Sequence, residues 1–190
     1  MKDSLRTFVT ASIVVLAMMI YPSAGIAKTA PTAAAVRNGQ HDFEFLVGHW
    51  KLHNRRLRKP LSGSHDWYEF SGVSQARTIW DGRGLLELVR FDIPNHAIDG
   101  LSLHFYDANS GQWSQYWATA STGLSTIPNV GSFTSAGVGV LTDHETINGR
   151  RILTRYRWTH GRNTAHWEQA FSQDEGKTWE VNWTTDYTRI

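Results

Sequence analysis

Thr164-Ala165-His166-Trp167-Glu168-Gln169-Ala170-Phe171-Ser172-Gln173-Asp174-Glu175-Gly176-Lys177-Thr178-Trp179-Glu180-Val181-Asn182-Trp183-Thr184-Thr185-Asp186-Tyr187-Thr188 is the stretch whose reading decides the fold. In its first part Trp167, Gln169 and Phe171 share one face, and His166, Glu168 and Ala170 share the other. In its last part Trp179, Val181, Trp183 and Tyr187 oppose Glu180, Asn182, Thr184 and Asp186. A period of two is the signature of a strand, whose successive side chains point to opposite faces. Between the two runs stands turn chemistry. Ser172 and Asp174 can bond turn backbone groups, and Gly176 tolerates positive φ. The stretch therefore reads as a β-hairpin.

The same punctuation extends outward along the chain. Apolar or aromatic runs alternate with Gly, Asn, Asp and Pro turns, giving candidate strands at 49–57, 67–80, 84–93, 100–106, 113–119, 131–141, 151–159, 164–172 and 178–188. Only 41–47 has the look of a short helical or 3₁₀ segment, a lid at the N-terminal side. Consecutive antiparallel strands must hide their edges, and closure into a barrel does so completely. The expected fold is all-β, an antiparallel barrel of about 8–10 strands. A two-sheet sandwich is the alternative.

Composition agrees with a strand-built core. Of 190 residues, 41% are hydrophobic and 19% charged, and nine Trp, eight Phe and six Tyr supply the large buried surfaces that strands favour. Nineteen Lys and Arg against 17 Asp and Glu leave a net charge of +2, which gives no electrostatic reason for a nucleic-acid partner. The one basic cluster, Arg55, Arg56, Arg58 and Lys59, reads as a solvated edge or loop.

Residues 1–27 read as a secretory signal peptide. Lys2 and Arg6 form the positive start, 8–21 is an uncharged, mostly apolar stretch, and Gly25-Ile26-Ala27 offers small residues for cleavage near Ala27. The stretch falls short of the ~20 apolar residues of a spanning helix, so no stable membrane insertion is expected after cleavage. The chain has no cysteine, hence neither lipid attachment nor disulfides. The expected location is periplasmic or secreted, with 28–40 a flexible lead-in and 41–190 the barrel domain.

Ser172-x-Asp174-x-Gly176-x-Thr178-Trp179 matches the Asp-box pattern of sialidases and other propellers. A propeller repeats that unit once per blade. Here it occurs once, with a degenerate cousin at Asp107-Ala-Asn109-Ser-Gly111-Gln-Trp113, so both read as structural hairpins and not as a sialidase. A broader resemblance rests on Arg155-Tyr-Arg-Trp158, Trp167-Glu-Gln-Ala-Phe-Ser172 and Asn182-Trp183. It continues through Phe43-Glu-Phe-Leu-Val-Gly48-His-Trp50, Trp67-x-Glu69-Phe70 and Gly131-Ser-Phe133. With these the chain resembles a bacterial, often exported family of unknown function with a calycin-like, lipocalin-type barrel. The resemblance implies a barrel with an interior pocket and carries no activity. Gly48-x-Trp50 is also similar to the opening of haem-binding nitrobindin-type barrels, but Leu52 and Asn54 stand where their G-x-W-x-G-x-G signature has glycines. Haem, and cofactors generally, are not expected.

The chemistry-bearing residues give a shorter list. His49 and His53, four apart on a strand, would stand about 13 Å apart, too far for one ion. His166 and Glu168 share a face about 6.6 Å apart but lack a third ligand, so no metal site is expected. There is no G-x-S-x-G elbow, phosphate loop or dinucleotide fingerprint. What remains is a set of polar groups among aromatics: His53, Arg55, Glu69, Arg155, Glu168, Gln169 and Asn182. Arg155 can pair with Glu168 across neighbouring strands. One reading makes these structural ion pairs or exposed strand-face charges. The other puts a small apolar or aromatic molecule in the barrel, gripped by Trp50, Trp67, Trp117 and Trp183, with Arg55, Arg155, Gln169 and Asn182 orienting it. A second function class is a cofactor-independent lyase, isomerase or hydrolase. It would use a His/carboxylate pair from His53, Glu69, His166 and Glu168.

Overall fold

The computed structural model describes residues 37–190. The leader read over 1–27 and most of the lead-in over 28–40 lie outside the described residues. Eleven strands follow one another: β1 Gly48–Leu57, β2 Trp67–Ile79, β3 Gly84–Ile93, β4 His96–Asp107, β5 Gln112–Thr119, β6 Gly123–Leu124, β7 Asn129–Phe133, β8 Gly139–Ile147, β9 Arg150–His160, β10 Thr164–Ser172 and β11 Glu180–Arg189. Every pairing is antiparallel, and each long strand pairs with its neighbours in sequence. β5 pairs with β7, and β1 pairs with β11, Trp50 opposite Arg189. Ten strands thus form a closed up-and-down ring, with the two-residue β6 added beside the end of β5. Closure leaves the ring without a free edge.

The strands expected from alternation are present, with one correction. The run 131–141 is two strands, β7 and β8, joined by a turn in which Val138 donates to Thr134 Oγ1 and Gly137 has φ of 75°. Gly131 and Gly139 are needed for a different reason. A Cβ on Gly131 would be driven into the Val140 carbonyl of the next strand, and one on Gly139 into the Phe133 ring. The strands there pack too closely for side chains.

Alternation sorts the barrel into an inside and an outside. Trp50, Leu52 and Asn54 of β1, Phe70 and Ser74 of β2, and Leu85, Glu87, Val89 and Phe91 of β3 are all buried. One end is filled solidly. The segment read as helical is a run of turns ending in a single 3₁₀ turn, Glu44–Leu46. Its Phe43 is packed edge-on against Trp113, Phe133 and Trp158 at centroid distances of 5.0, 4.8 and 5.8 Å. Side chains from three strands fasten this plug by its backbone carbonyls. Trp50 Nε1 donates to Leu46 O (2.7 Å), Trp113 Nε1 to Gly39 O (3.0 Å), and the Arg189 guanidinium to Val47 O and Phe45 O (2.6 and 2.8 Å). The bonds to Phe45, Leu46 and Val47 satisfy carbonyls that a single 3₁₀ turn leaves open, while Gly39 O takes the indole N–H as a second donor beside Asp42 N.

The Asp-box turn between β10 and β11 is built as its residues suggest. Gly176 N donates to Ser172 Oγ (2.8 Å), Thr178 N and Oγ1 donate to the two Asp174 oxygens (2.9 and 2.6 Å), and Trp179 Nε1 donates to Gly176 O (3.0 Å). These donors, the Thr178 hydroxyl foremost, hold the Asp174 carboxyl down at about 2. Gly176 sits at φ 88°, and a Cβ there would also touch Trp179 and Leu153. Gly176→Val is expected to destabilise the barrel by about 1–3 kcal/mol. An unchanged urea midpoint would remove the turn from the features that hold β10 to β11.

Candidate functional site

Above the plug the barrel is hollow. A cavity of about 560 Å³ runs to the other end, where Pro60, Thr119, Ile147 and Asn148 stand at its rim. Its walls are aromatic: Phe91 from β3, Trp117 from β5, Tyr156 and Trp158 from β9, Trp167 and Phe171 from β10, Trp183 and Tyr187 from β11. The period-two pattern of the opening stretch puts them there, because Trp167, Gln169 and Phe171 share the inner face of β10. The rings pack on one another. Trp167 and Trp183 meet edge-on at 5.6 Å, Tyr156 and Trp167 at 5.0 Å, and Phe91 and Trp183 lie tilted at 5.4 Å. The walls are therefore preset and do not need a ligand to arrange them. That volume and lining fall within the range of small-molecule sites, which are concave and mostly apolar with a few placed polar groups.

The placed polar groups sit at known depths. Toward the plug a chain of bonds links Trp158 Nε1 to Gln115 Oε1 (3.2 Å), Gln115 Nε2 to Ser102 Oγ (3.3 Å), and Ser102 Oγ to His104 Nε2 (3.0 Å). His104 is wholly buried against the Phe43 ring, and its Nδ1 has no partner. Burial pushes its imidazole down to about 3, so it is neutral at physiological pH. Glu87 lines the cavity, is 2% exposed, and leaves Oε1 without a hydrogen bond. Burial raises its carboxyl to about 7, against the opposing pull of the Ser74 and Tyr187 hydroxyls. Neither hydroxyl closes a bond to Oε1, and Ser74 Oγ is itself unpartnered. Higher up, Asn54 Oδ1 accepts from Trp183 Nε1 (3.1 Å) and Thr185 Oγ1 (2.7 Å), and Gln169 Nε2 donates to Asn182 Oδ1 (2.8 Å). The guanidinium of Arg56 lies 4.3 Å over the Trp183 ring, and Glu145 also faces the cavity.

The residues singled out from sequence divide between the two faces. Trp117, Gln169 and Trp183 line the cavity. Asn182 is buried beside Gln169, because a bulge opposite Gln169 and Ala170 turns it off the outer face that strict alternation assigns to it. Trp50 is buried in the plug region, bonded to Leu46. The others lie outside. On the outer face of β1 and β2, Glu69 meets Arg55 Nε at 3.3 Å and His53 Nε2 at 3.6 Å, and Arg55 stands 5.3 Å over Trp67. Arg155 does bond Glu168 (3.0 Å), diagonally, since Glu168 is opposite Arg157. Its guanidinium stacks 4.3 Å over Trp179, so the pair belongs to the outer wall. His166 Nδ1 contacts Asp186 Oδ1 (2.7 Å) beside a smaller external hollow of about 290 Å³. The four acid–base candidates, His53, Glu69, His166 and Glu168, thus share no cavity.

Glu87 and His104 are the interior acid–base groups that the sequence reading missed. Their signal was parity, since Glu87 stands two residues from Leu85 and from Val89 and four from Phe91, all buried. Among the described residues no group of three or more His, Asp or Glu is placed to hold a metal ion. Compared with known proteins, the chain matches no family model and no curated sequence.

Proposed function

We propose that this barrel is a binding protein for a small, largely apolar or aromatic molecule held in its interior. The observation that carries the reading is the cavity of about 560 Å³ walled by eight aromatic side chains from five strands. A calycin-like kinship is supported by the closed up-and-down ring, with the 3₁₀ segment acting as a fixed lid on the filled end. Action outside the cytoplasm is supported by the leader pattern of 1–27. The cofactor-independent enzyme reading would have to run on Glu87, the carboxyl inside the cavity that titrates near neutrality.

The test is binding of N-phenyl-1-naphthylamine, a neutral aromatic probe whose fluorescence rises in apolar surroundings. Saturable one-to-one enhancement is expected, with energy transfer from the cavity tryptophans. Trp183→Ala should weaken binding by about tenfold, the scale of losing one aromatic contact. Enhancement that never saturates, or that is indifferent to Trp183→Ala, would place the probe elsewhere and remove the reading.

A further inference from the structure

Glu87 is a feature of the cavity that a purely apolar ligand would leave unexplained. It projects from the middle of β3 into the enclosed space, almost wholly buried, with Oε1 unpaired. None of the ion pairs among the described residues includes it. The groups facing it from neighbouring strands are uncharged: Ser74 of β2, Ser102 opposite it on β4, and Tyr187 of β11. His104, nearer the plug, is neutral and turned to Ser102 and Phe43. The cavity's guanidinium, Arg56, lies over the Trp183 ring and forms no ion pair with Glu87, and the cavity holds a second carboxyl in Glu145. Two acids against one base leave the enclosed space short of positive charge. A buried carboxylate without a partner is costly, so the site favours whatever brings it a cation or a strong donor. The surrounding aromatic faces act in the same direction, since their electron-rich faces attract ammonium groups.

We propose that the ligand of this cavity is a basic amphiphile, an aromatic or apolar body carrying a protonated amine that pairs with Glu87. The proposal rests on the binding function above and names its ligand class. The apolar body lies among Trp117, Trp167 and Trp183, and the ammonium pairs with the Glu87 carboxylate, with Tyr187 and Ser74 beside the pair. Burial that raises the free carboxyl to about 7 is the expected state of a group whose counter-ion arrives with the ligand.

The experiment is calorimetric titration of the full barrel domain at pH 8 with three matched compounds: 2-(1-naphthyl)ethylamine, 2-(1-naphthyl)ethanol and 1-naphthylacetate. At that pH Glu87 is ionised and an alkylammonium, with a pKa of about 10, is still protonated. The amine should bind at least tenfold tighter than the alcohol, and the acetate weakest. Glu87→Gln should cut the amine's advantage over the alcohol to less than threefold while leaving the alcohol's affinity within about twofold. An amine that binds no tighter than the alcohol in the wild type overturns the proposal and leaves the apolar-ligand reading standing. So does an advantage that survives Glu87→Gln. If none of the three compounds binds, the enclosed-ligand reading itself falls and this one with it. The wild-type ranking decides the matter even if Glu87→Gln does not fold.

Discussion

Trp158→Ala is expected to lower the stability of the barrel by about 3–5 kcal/mol, the range for truncating a buried Phe or Trp. Trp158 stands where the plug ends and the hollow begins. Its ring is 1% exposed, with Phe43 at 5.8 Å and Phe45 at 5.9 Å on the plug side and Tyr187 at 5.6 Å and Trp167 at 6.4 Å on the other. Truncation merges its vacated volume with the cavity, so the loss of contacts cannot be recovered by a local collapse. It also removes the donor that Gln115 Oε1 accepts, at the start of the chain leading to His104. Urea unfolding measures the loss, and for a domain of this length the melting temperature should fall by roughly 10 °C. A change below about 1 kcal/mol would mean that the plug is held by its backbone bonds alone.

The second large effect appears only as pH is lowered. His104 has a folded value of about 3 against an ordinary value of 6.5, because burial disfavours the imidazolium. Between those values the unfolded chain binds a proton that the folded chain refuses, so the stability conferred at neutral pH is lost as pH falls from about 6.5 toward 3. At about 1.4 kcal/mol per unit the full interval is worth on the order of 5 kcal/mol. Glu87 and Asp143 work in the opposite sense. Burial raises both to about 7, so their folded forms hold protons that the unfolded forms release, and they favour the folded state as pH falls. The prediction therefore concerns a difference. Stability of His104→Gln minus that of the wild type should be flat above pH 6.5 and should rise in favour of the variant down to pH 3. A difference that stays level across that interval would show that His104 is protonated in the folded barrel, with water reaching its Nδ1.

Much of the fold was legible because its signals are local. The alternation in β10, the turn at Asp174 and Gly176, and the short connections sufficed for a closed antiparallel barrel. The division of 131–141 into two strands was hidden because Gly131, Gly137 and Gly139 serve different purposes in one run. Two avoid neighbouring atoms and the other makes the turn. The wall of the cavity was partly legible through Trp117, Gln169 and Trp183. Its acid–base groups were not, because β3 and β4 carry apolar side chains on the outside as well. Leu88 is 52% exposed, and Leu86, Leu101, Leu103 and Phe105 are half-buried on the outer face. In Leu85-Leu86-Glu87-Leu88-Val89 no local contrast tells which face is which. Only the partners across the ring do. On β1 the contrast ran the other way, and the polar side chains of His53 and Arg55 drew notice although they point to solvent.

The pairing of β1 with β11 also sets an order of events. β1, the first strand of the ring, is flanked by β11, the eleventh, so one flank of β1 stays bare until the strand ending near Arg189 has docked. The hook that Arg189 places on Val47 and Phe45 closes at the same moment. A ring of this design cannot close before β11 is available, and contacts between strands so far apart in sequence slow folding. Deleting β11 would open the ring at a seam and expose the edges of β1 and β10 to other chains.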